Sequence, residues 1–298
     1  MKSIFSGKRR SRTFFSQMVI NLVLIVISMV WVVPVLVLLS ASFTDENALT
    51  KNGFGLWPSQ FSTNAYNYLF HYPQAVLNAY GISLIVTVVG TIGTLLVVSM
   101  LAYPLSRVDF TWRRPISFIV FFTMLFNGGM IATYIWIANT LHMVDSIMAL
   151  TLPIMVNTWF VFLMRSYFSE LPREFIEAAK IDGANEWQIL FQIVLPLSVP
   201  ALATIALFSI MMYWNDWWQA LLFIRNRDLY PLQYWLYTVL SNADVLNQTN
   251  VANLGLNTPP LQTIRMAVAV LAMGPISLAF LSLQRYFIRG ITLGGVKG

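Results

Sequence analysis

Leu171–Pro196 reads LPREFIEAAKIDGANEWQILFQIVLP and lies between two apolar stretches long enough to cross a bilayer. Glu170, Glu174, Glu177, Asp182 and Glu186 sit in or beside it with Arg165, Arg173 and Lys180. A segment with this charge density is unsuited to lipid. It faces water, and its pattern suits a surface presented to another protein. Pro172 fits the first turn of a helix, where its missing N–H costs nothing. Residues 173–182 contain no breaker, and Gly183 is placed to end the helix in a left-handed cap. Asn185 followed by Gln188 has the spacing of a capping box. The segment therefore reads as helix, tight turn and second helix, running on to Leu195-Pro196. Ala178 and Ala179 give the first helix a low profile that a partner's groove can close around, and Glu177 offers charge to a basic partner. The competing picture, an amphipathic hairpin lying on lipid headgroups, suits an acidic element poorly.

The rest of the chain sets this hairpin in a membrane. Its 298 residues are 57% hydrophobic and 10% charged, with a mean hydropathy of +0.67; soluble domains carry about 25% charged residues. The composition belongs to a multispanning membrane protein. There is no cysteine, hence no disulfide framework or thiolate metal site. The net charge of +6 does not point to nucleic acid, because most basic residues flank apolar runs. The basic start and the apolar run from about Met18 to Leu39 resemble a signal peptide, but the run is too long for a cleavable core and no clear cleavage site follows. It reads as a retained span.

Roughly 20 apolar residues cross a bilayer as helix, and six stretches qualify, near 17–42, 79–104, 115–138, 146–168, 197–224 and 264–288. With the amino terminus inside, 14 of the 18 Lys and Arg residues fall on the inner side. Lys51, Arg225, Arg227 and Arg265 fall outside. The positive-inside rule thus predicts two cytoplasmic termini and a cytoplasmic loop over 169–196. The two long external segments, about 43–78 and 225–263, mix aromatics with amides, which suits packing on the membrane, docking a partner or capping the bundle. No internal repeat or separate soluble domain is evident, so residues 1–298 read as one transmembrane domain.

At this point the residues resemble a known family. Glu177-Ala178-Ala179, three residues, Gly183, nine residues, then Ile193-x-Leu195-Pro196 is similar to the signature loop of permease subunits in binding-protein-dependent ABC importers. Residues 178–208 resemble the carbohydrate branch, in particular the second maltose permease subunit, as does the ending QRYFIRGITLGGVKG (284–298). Ser42–Phe70 and Arg225–Gln233 resemble a narrower group associated with complex oligosaccharides, including polyuronate fragments. One departure is Ala132 in FNGGMIATY, where the family pattern has proline. The resemblance implies an all-α integral membrane protein with the type I importer permease fold: six transmembrane helices, cytoplasmic termini and a cytoplasmic coupling hairpin. It also implies a homologous second permease, an ATPase dimer, an extracellular solute-binding protein and an oligosaccharide substrate in a bacterial inner membrane. No cofactor is expected on this chain; ATP and Mg²⁺ belong to the partner ATPase. Glu177, Ala178, Ala179, Asp182 and Gly183 become the residues that couple to the ATPase, and the tail after Arg289 is expected to touch it too.

The sugar path has a candidate in Tyr213-Trp214-Asn215-Asp216-Trp217-Trp218, the densest polar-aromatic cluster. An acid at membrane depth faces a water-filled cavity or a polar partner. Aromatic faces stack on sugar rings, and Asn and Asp bond hydroxyls. The same tryptophans would also suit an interfacial belt or a packing surface, and both readings stand. Arg225, Arg227 and Arg265 could attract an acidic oligosaccharide, or be ordinary loop charges. Two rival classes fit less well. Only His71 and His142 are present, with no H-E-x-x-H pattern and no phosphate-binding G-x-x-x-x-G-K-[ST] loop, so an intramembrane enzyme is not indicated. Ion-coupled transport lacks an inverted repeat. Neutral oligosaccharides remain the alternative substrate.

Overall fold

The computed structural model describes residues 6–71, 73–248 and 261–294, with side chains over 17–71, 73–242, 261–278 and 280–281. Among them all regular structure is helical, apart from one isolated antiparallel bridge between Thr44 and Phe61. The described residues form two compact units. One joins those up to His71 with Leu240–Leu271; the other joins Pro73–Val239 with those from Ala272 on.

In the first unit a long helix, Ser6–Ser42, exposes every side chain from Gln17 to Leu36, and its apolar length suits lipid. Beyond Ser42 the chain is ordered by short-range chemistry. Asp45 caps the Glu46–Asn52 helix by accepting the N–H groups of Asn47 (3.0 Å) and Ala48 (3.4 Å). Phe43 stacks on Phe61 and Tyr66, and the Tyr66 hydroxyl shares a hydrogen bond with Ser42 (2.9 Å). The segment expected at 43–78 is thus largely folded. Its most consequential contact is Glu46, whose carboxylate accepts the N–H groups of Gln262 (3.0 Å) and Thr263 (2.9 Å) and the Thr263 hydroxyl (2.8 Å). It caps the start of the Leu261–Gly294 helix.

The second unit is built around Pro73–Ser106, an unbroken helix of 34 residues. Small residues let its neighbours approach. A Cβ on Gly90 would lie 2.5 Å from the Tyr213 ring, and one on Gly93 would lie 2.6 Å from Met155. The Tyr213 hydroxyl is then held by Thr94 (3.1 Å) and by the Thr151 carbonyl (3.2 Å). One apolar core runs from Val98 and Ala102 through Phe160 and Met164 to Ile176, Ala179, Ile189 and Ile205. It ties this helix to Thr158–Glu170, Val199–Trp214 and the charged hairpin.

Among the described residues, three helices are long and apolar enough to cross a membrane alone: Gln17–Ser42, Pro73–Ser106 and Leu261–Leu278. Three bent pairs join them if each pair is one span. These are Arg113–Leu125 with Gly129–Thr140 (113°), Ile147–Met155 with Thr158–Glu170 (54°), and Glu186–Leu197 with Val199–Trp214 (82°). The stretches expected as spans near 115–138 and 146–168 each hold one of these bent pairs, and that near 197–224 begins at the break of the third. Each break has a local cause. Gly129 takes φ +83°, with its N–H donated to Asn127 Oδ1 (2.8 Å). Asn157 leaves the helical region and caps the next helix through the N–H groups of Trp159 and Phe160. Ser198 precedes Val199-Pro200, and proline supplies no N–H to continue the ladder. The second long segment expected between spans, about 225–263, also contains a helix, Leu232–Gln248.

Candidate functional site: a charged hairpin and a polar helix break

The hairpin forms as its sequence dictates. Its first helix spans Arg173–Ile181, with Pro172 at the cap position rather than inside the first turn. Gly183 has φ +83°; its N–H donates to the Lys180 carbonyl (3.1 Å), and that of Ala184 to the Ala179 carbonyl (2.9 Å). That pair of bonds is a Schellman cap. Asn185 and Gln188 make both bonds of a capping box, 2.9 and 2.8 Å. The second helix then continues through a π-helical stretch, Ile189–Val194, to Leu197.

The first helix has two faces. Ile176 and Ala179 are buried in the chain's own core, which for a water-facing hairpin is worth about 1.5–3 kcal/mol for the isoleucine. Glu177, Ala178 and Asp182 are exposed. Ala179, expected beside Ala178 on the coupling surface, is instead buried and seats the helix on this chain. The sequence reading missed two exposed apolar residues beside Ala178, namely Phe175 and Ile181, the latter 87% exposed. A period-3.6 projection anchored on Ile176 would have found them.

A polar network stands on the other side of the hairpin. Arg107 grips Asp109 with two bonds (2.7 and 3.0 Å). Lys180 reaches Asp109 (3.4 Å) and Glu186 (2.9 Å), and Glu186 accepts the Tyr103 hydroxyl (2.5 Å). The Arg107 fork holds the Asp109 carboxyl well below the usual carboxylate range, and Glu186 raises the Lys180 ammonium above its ordinary value.

The aromatic cluster straddles a further break, between Val199–Trp214 and Trp218–Phe223. Its members separate. Tyr213 is 2% exposed and packed on Gly90; Trp214 is 6% exposed and donates Nε1–H to the Ala272 carbonyl (3.0 Å). In this arrangement both are buried in helix packing. Asn215 and Trp217 are exposed, and Asp216 is half-buried with Oδ2 accepting the Gln219 N–H (3.3 Å). Gln233 approaches Asn215 (3.5 Å), and Tyr237 stacks on Trp217 with centroids 4.8 Å apart. Sequence reading missed both, because they lie on the following helix.

Arg225 and Arg227 are exposed, and Arg225 reaches the Tyr134 hydroxyl (3.4 Å). The side chains after Arg289 lie outside the described residues. No group of three or more metal-ligating side chains occurs among the described ones.

Membrane-length helices, bent helix pairs and an E-A-A hairpin with an exposed glutamate are the features of a transport permease, and residues 3–293 match the family described as binding-protein-dependent transport system inner membrane component. The chain belongs to that family: it is the inner-membrane permease component of an ABC importer, a non-catalytic subunit. It is 38% identical over 276 residues to the polygalacturonan/rhamnogalacturonan transport system permease protein YtcP of Bacillus subtilis, covering 92% of this chain and 96% of that one. It is 31% identical over 279 residues to the arabinooligosaccharides transport system permease protein AraQ of Halalkalibacterium halodurans, covering 91% and 93%. A crystal structure of a bacterial ABC transporter involved in the import of the acidic polysaccharide alginate has a chain that superposes with a TM-score of 0.78. The two are 28% identical over 96% of this chain and 100% of that one.

Proposed function

We propose that this chain is one of two permeases in an ATP-driven importer of acidic, polyuronate-type oligosaccharides, with six spans and both termini in the cytoplasm. The observation that carries the reading is the two-faced helix: Ile176 and Ala179 anchor it to this chain while Glu177, Ala178 and Ile181 are left for another. A groove on the partner ATPase receives that face, and Glu177 pairs with a base there. Phe175 and Ile181 supply the apolar contact, and Asp182 and Gly183 fix the exit. ATP and Mg²⁺ bind the ATPase dimer, whose closure moves the hairpin and, with it, the spans. A solute-binding protein delivers the sugar from outside. Asn215, Asp216 and Trp217, with Gln233 and Tyr237, offer amide, carboxylate and aromatic face to sugar hydroxyls and rings. The acidic class is supported by the names of the polygalacturonan/rhamnogalacturonan relative and the alginate transporter. The arabinooligosaccharide relative favours a neutral substrate as the second reading.

The test is uptake by the reconstituted complex with its binding protein, against uronic-acid and neutral oligosaccharides. ATP-dependent uptake of the uronic class is expected, independent of a proton or sodium gradient, and lost in Glu177→Lys with membrane insertion intact. Uptake of neutral oligomers alone would replace the substrate assignment. Normal uptake by an assembled Glu177→Lys complex would remove Glu177 from coupling.

A further inference from the structure

The hairpin is seated on the rest of the second unit by two unlike contacts. One is the apolar core under Ile176, Ala179 and Leu190. The other is the polar chain from Arg107 to Tyr103. That chain forms one wall of an open cavity of about 390 Å³, whose other wall is Met100, Pro104, Phe110, Trp187 and Leu190. Apolar packing is therefore thin where the second hairpin helix faces the end of the Pro73–Ser106 helix. A helix with a void on one side can tilt, and only directional bonds hold its angle there. The Lys180 pairs are exposed, with side-chain accessibilities of 39% for Lys180 and 55–59% for its partners, so solvent screens them. The Tyr103–Glu186 bond shares that exposed carboxylate but is sheltered on its other side: Tyr103 is 6% exposed, and a hydroxyl on a carboxylate at 2.5 Å is short and charge-assisted.

We infer that Tyr103 and Glu186 are positioning residues that lock the hairpin to the Pro73–Ser106 helix, so that a displacement of the hairpin is delivered to that helix instead of being lost as tilt into the cavity. The same helix carries Thr94 and Gly90 against Tyr213, two residues before Asn215. A rigid element thus runs from the lock to the polar break. The inference rests on the coupling function proposed above.

The test uses Tyr103→Phe, Glu186→Gln and the double variant in the assembled complex. Tyr103→Phe keeps the ring and removes only the hydroxyl, and its burial keeps it from any partner. Sugar transported per ATP hydrolysed is expected to fall about fivefold in each single variant, and no further in the double. Losses that multiply, or an unchanged ratio in Tyr103→Phe, would overturn the lock. A second readout needs no transport: amide hydrogen exchange over residues 173–190 should speed up several-fold in Tyr103→Phe. Unchanged exchange would overturn the proposal whether or not the complex imports sugar. If the unsubstituted complex moves no sugar with ATP, the functional reading fails while the exchange result still decides the lock.

Discussion

Gly90→Ala adds one methyl group and should act far beyond its size. Its Cβ would sit 2.5 Å from Tyr213 Cζ and 2.6 Å from both Cε atoms. Carbon atoms settle at about 3.5–4.0 Å, so ring and helix must part by about 1 Å. The ring cannot swing freely, since its hydroxyl is held by Thr94 and by the Thr151 carbonyl. Overpacking costs about 1–3 kcal/mol, and straining two hydrogen bonds adds about 0.5–1.5 kcal/mol each. Alanine's better helix propensity returns about 1 kcal/mol. The net loss should be about 3 kcal/mol, within a range of roughly 1–5 kcal/mol. In a Tyr213→Leu background the obstacle is gone, and the same substitution should be neutral or stabilising by up to about 1 kcal/mol. Denaturation of the purified chain in mixed detergent micelles, run on all four variants, measures both numbers as a double-mutant cycle. A loss under about 0.5 kcal/mol in the natural background, or an equal loss in both, would refute the close approach of these helices.

Three other substitutions probe separate devices. Gly183→Val should lower transport and destabilise the hairpin by roughly 1–2 kcal/mol, all of it backbone strain, since φ is +83° and nothing lies within 4 Å of a Cβ there; Gly183→Asn should be milder, and equal uptake by the valine variant would deny the left-handed cap. Glu46→Ala removes three hydrogen bonds to Gln262 and Thr263 and should cost about 1–3 kcal/mol, read as faster exchange at the start of the Leu261–Gly294 helix. Asp145 accepts the N–H groups of Asn226 (2.8 Å) and Arg225 (2.6 Å), which lower its carboxyl below the ordinary value. The folded state then binds the proton less readily than the unfolded one, so the contribution is present above the ordinary carboxylate range and is lost as pH falls through the folded value. The stability difference between the natural chain and Asp145→Asn should be constant at neutral pH and shrink below about pH 4; a pH-independent gap would deny the carboxylate its part.

The hairpin was legible in sequence to within a residue because its boundaries are set by neighbours in the chain: Pro172 before it, Gly183 in the left-handed region, Asn185 and Gln188 satisfying each other. The breaks at Asn127–Gly129, Val156-Asn157 and Ser198 were not, because hydropathy counts apolar residues and is blind to whether successive N–H groups find carbonyls. The clue available at the second was Asn157 before Thr158, a capping residue inside an apolar run. Ala178 and Ala179 look alike in sequence, yet one is exposed and the other buried; only knowing that Ile176 faces the core separates them. The same holds for Tyr213 and Asn215, two residues apart and oppositely placed.

The arrangement of broken and unbroken helices is itself an argument about mechanism. A displacement applied at one end of a helix reaches the other only if the hydrogen-bond ladder between them is continuous. Pro73–Ser106 meets that condition from its first turn to Tyr103, since Pro104, which supplies no N–H, lies beyond the hairpin contact, and it has the hairpin at that end and Tyr213 farther along. The helices packed on it fail the condition, each interrupted by a residue whose side chain or missing N–H ends the ladder. Interrupted backbone at membrane depth is tolerated where it is buried in protein or lines water, and such joints are where helices can change angle at low cost. A rigid rod flanked by jointed helices converts a push into a change of shape, whereas six rods would shift together and open nothing. Filling the close contact at Gly90 therefore disturbs the rod's grip on the jointed helix beside it, and loosening Tyr103 from Glu186 disturbs the grip at the driven end. The first should register as lost stability with coupling intact in the surviving complexes, the second as lost coupling with stability nearly intact.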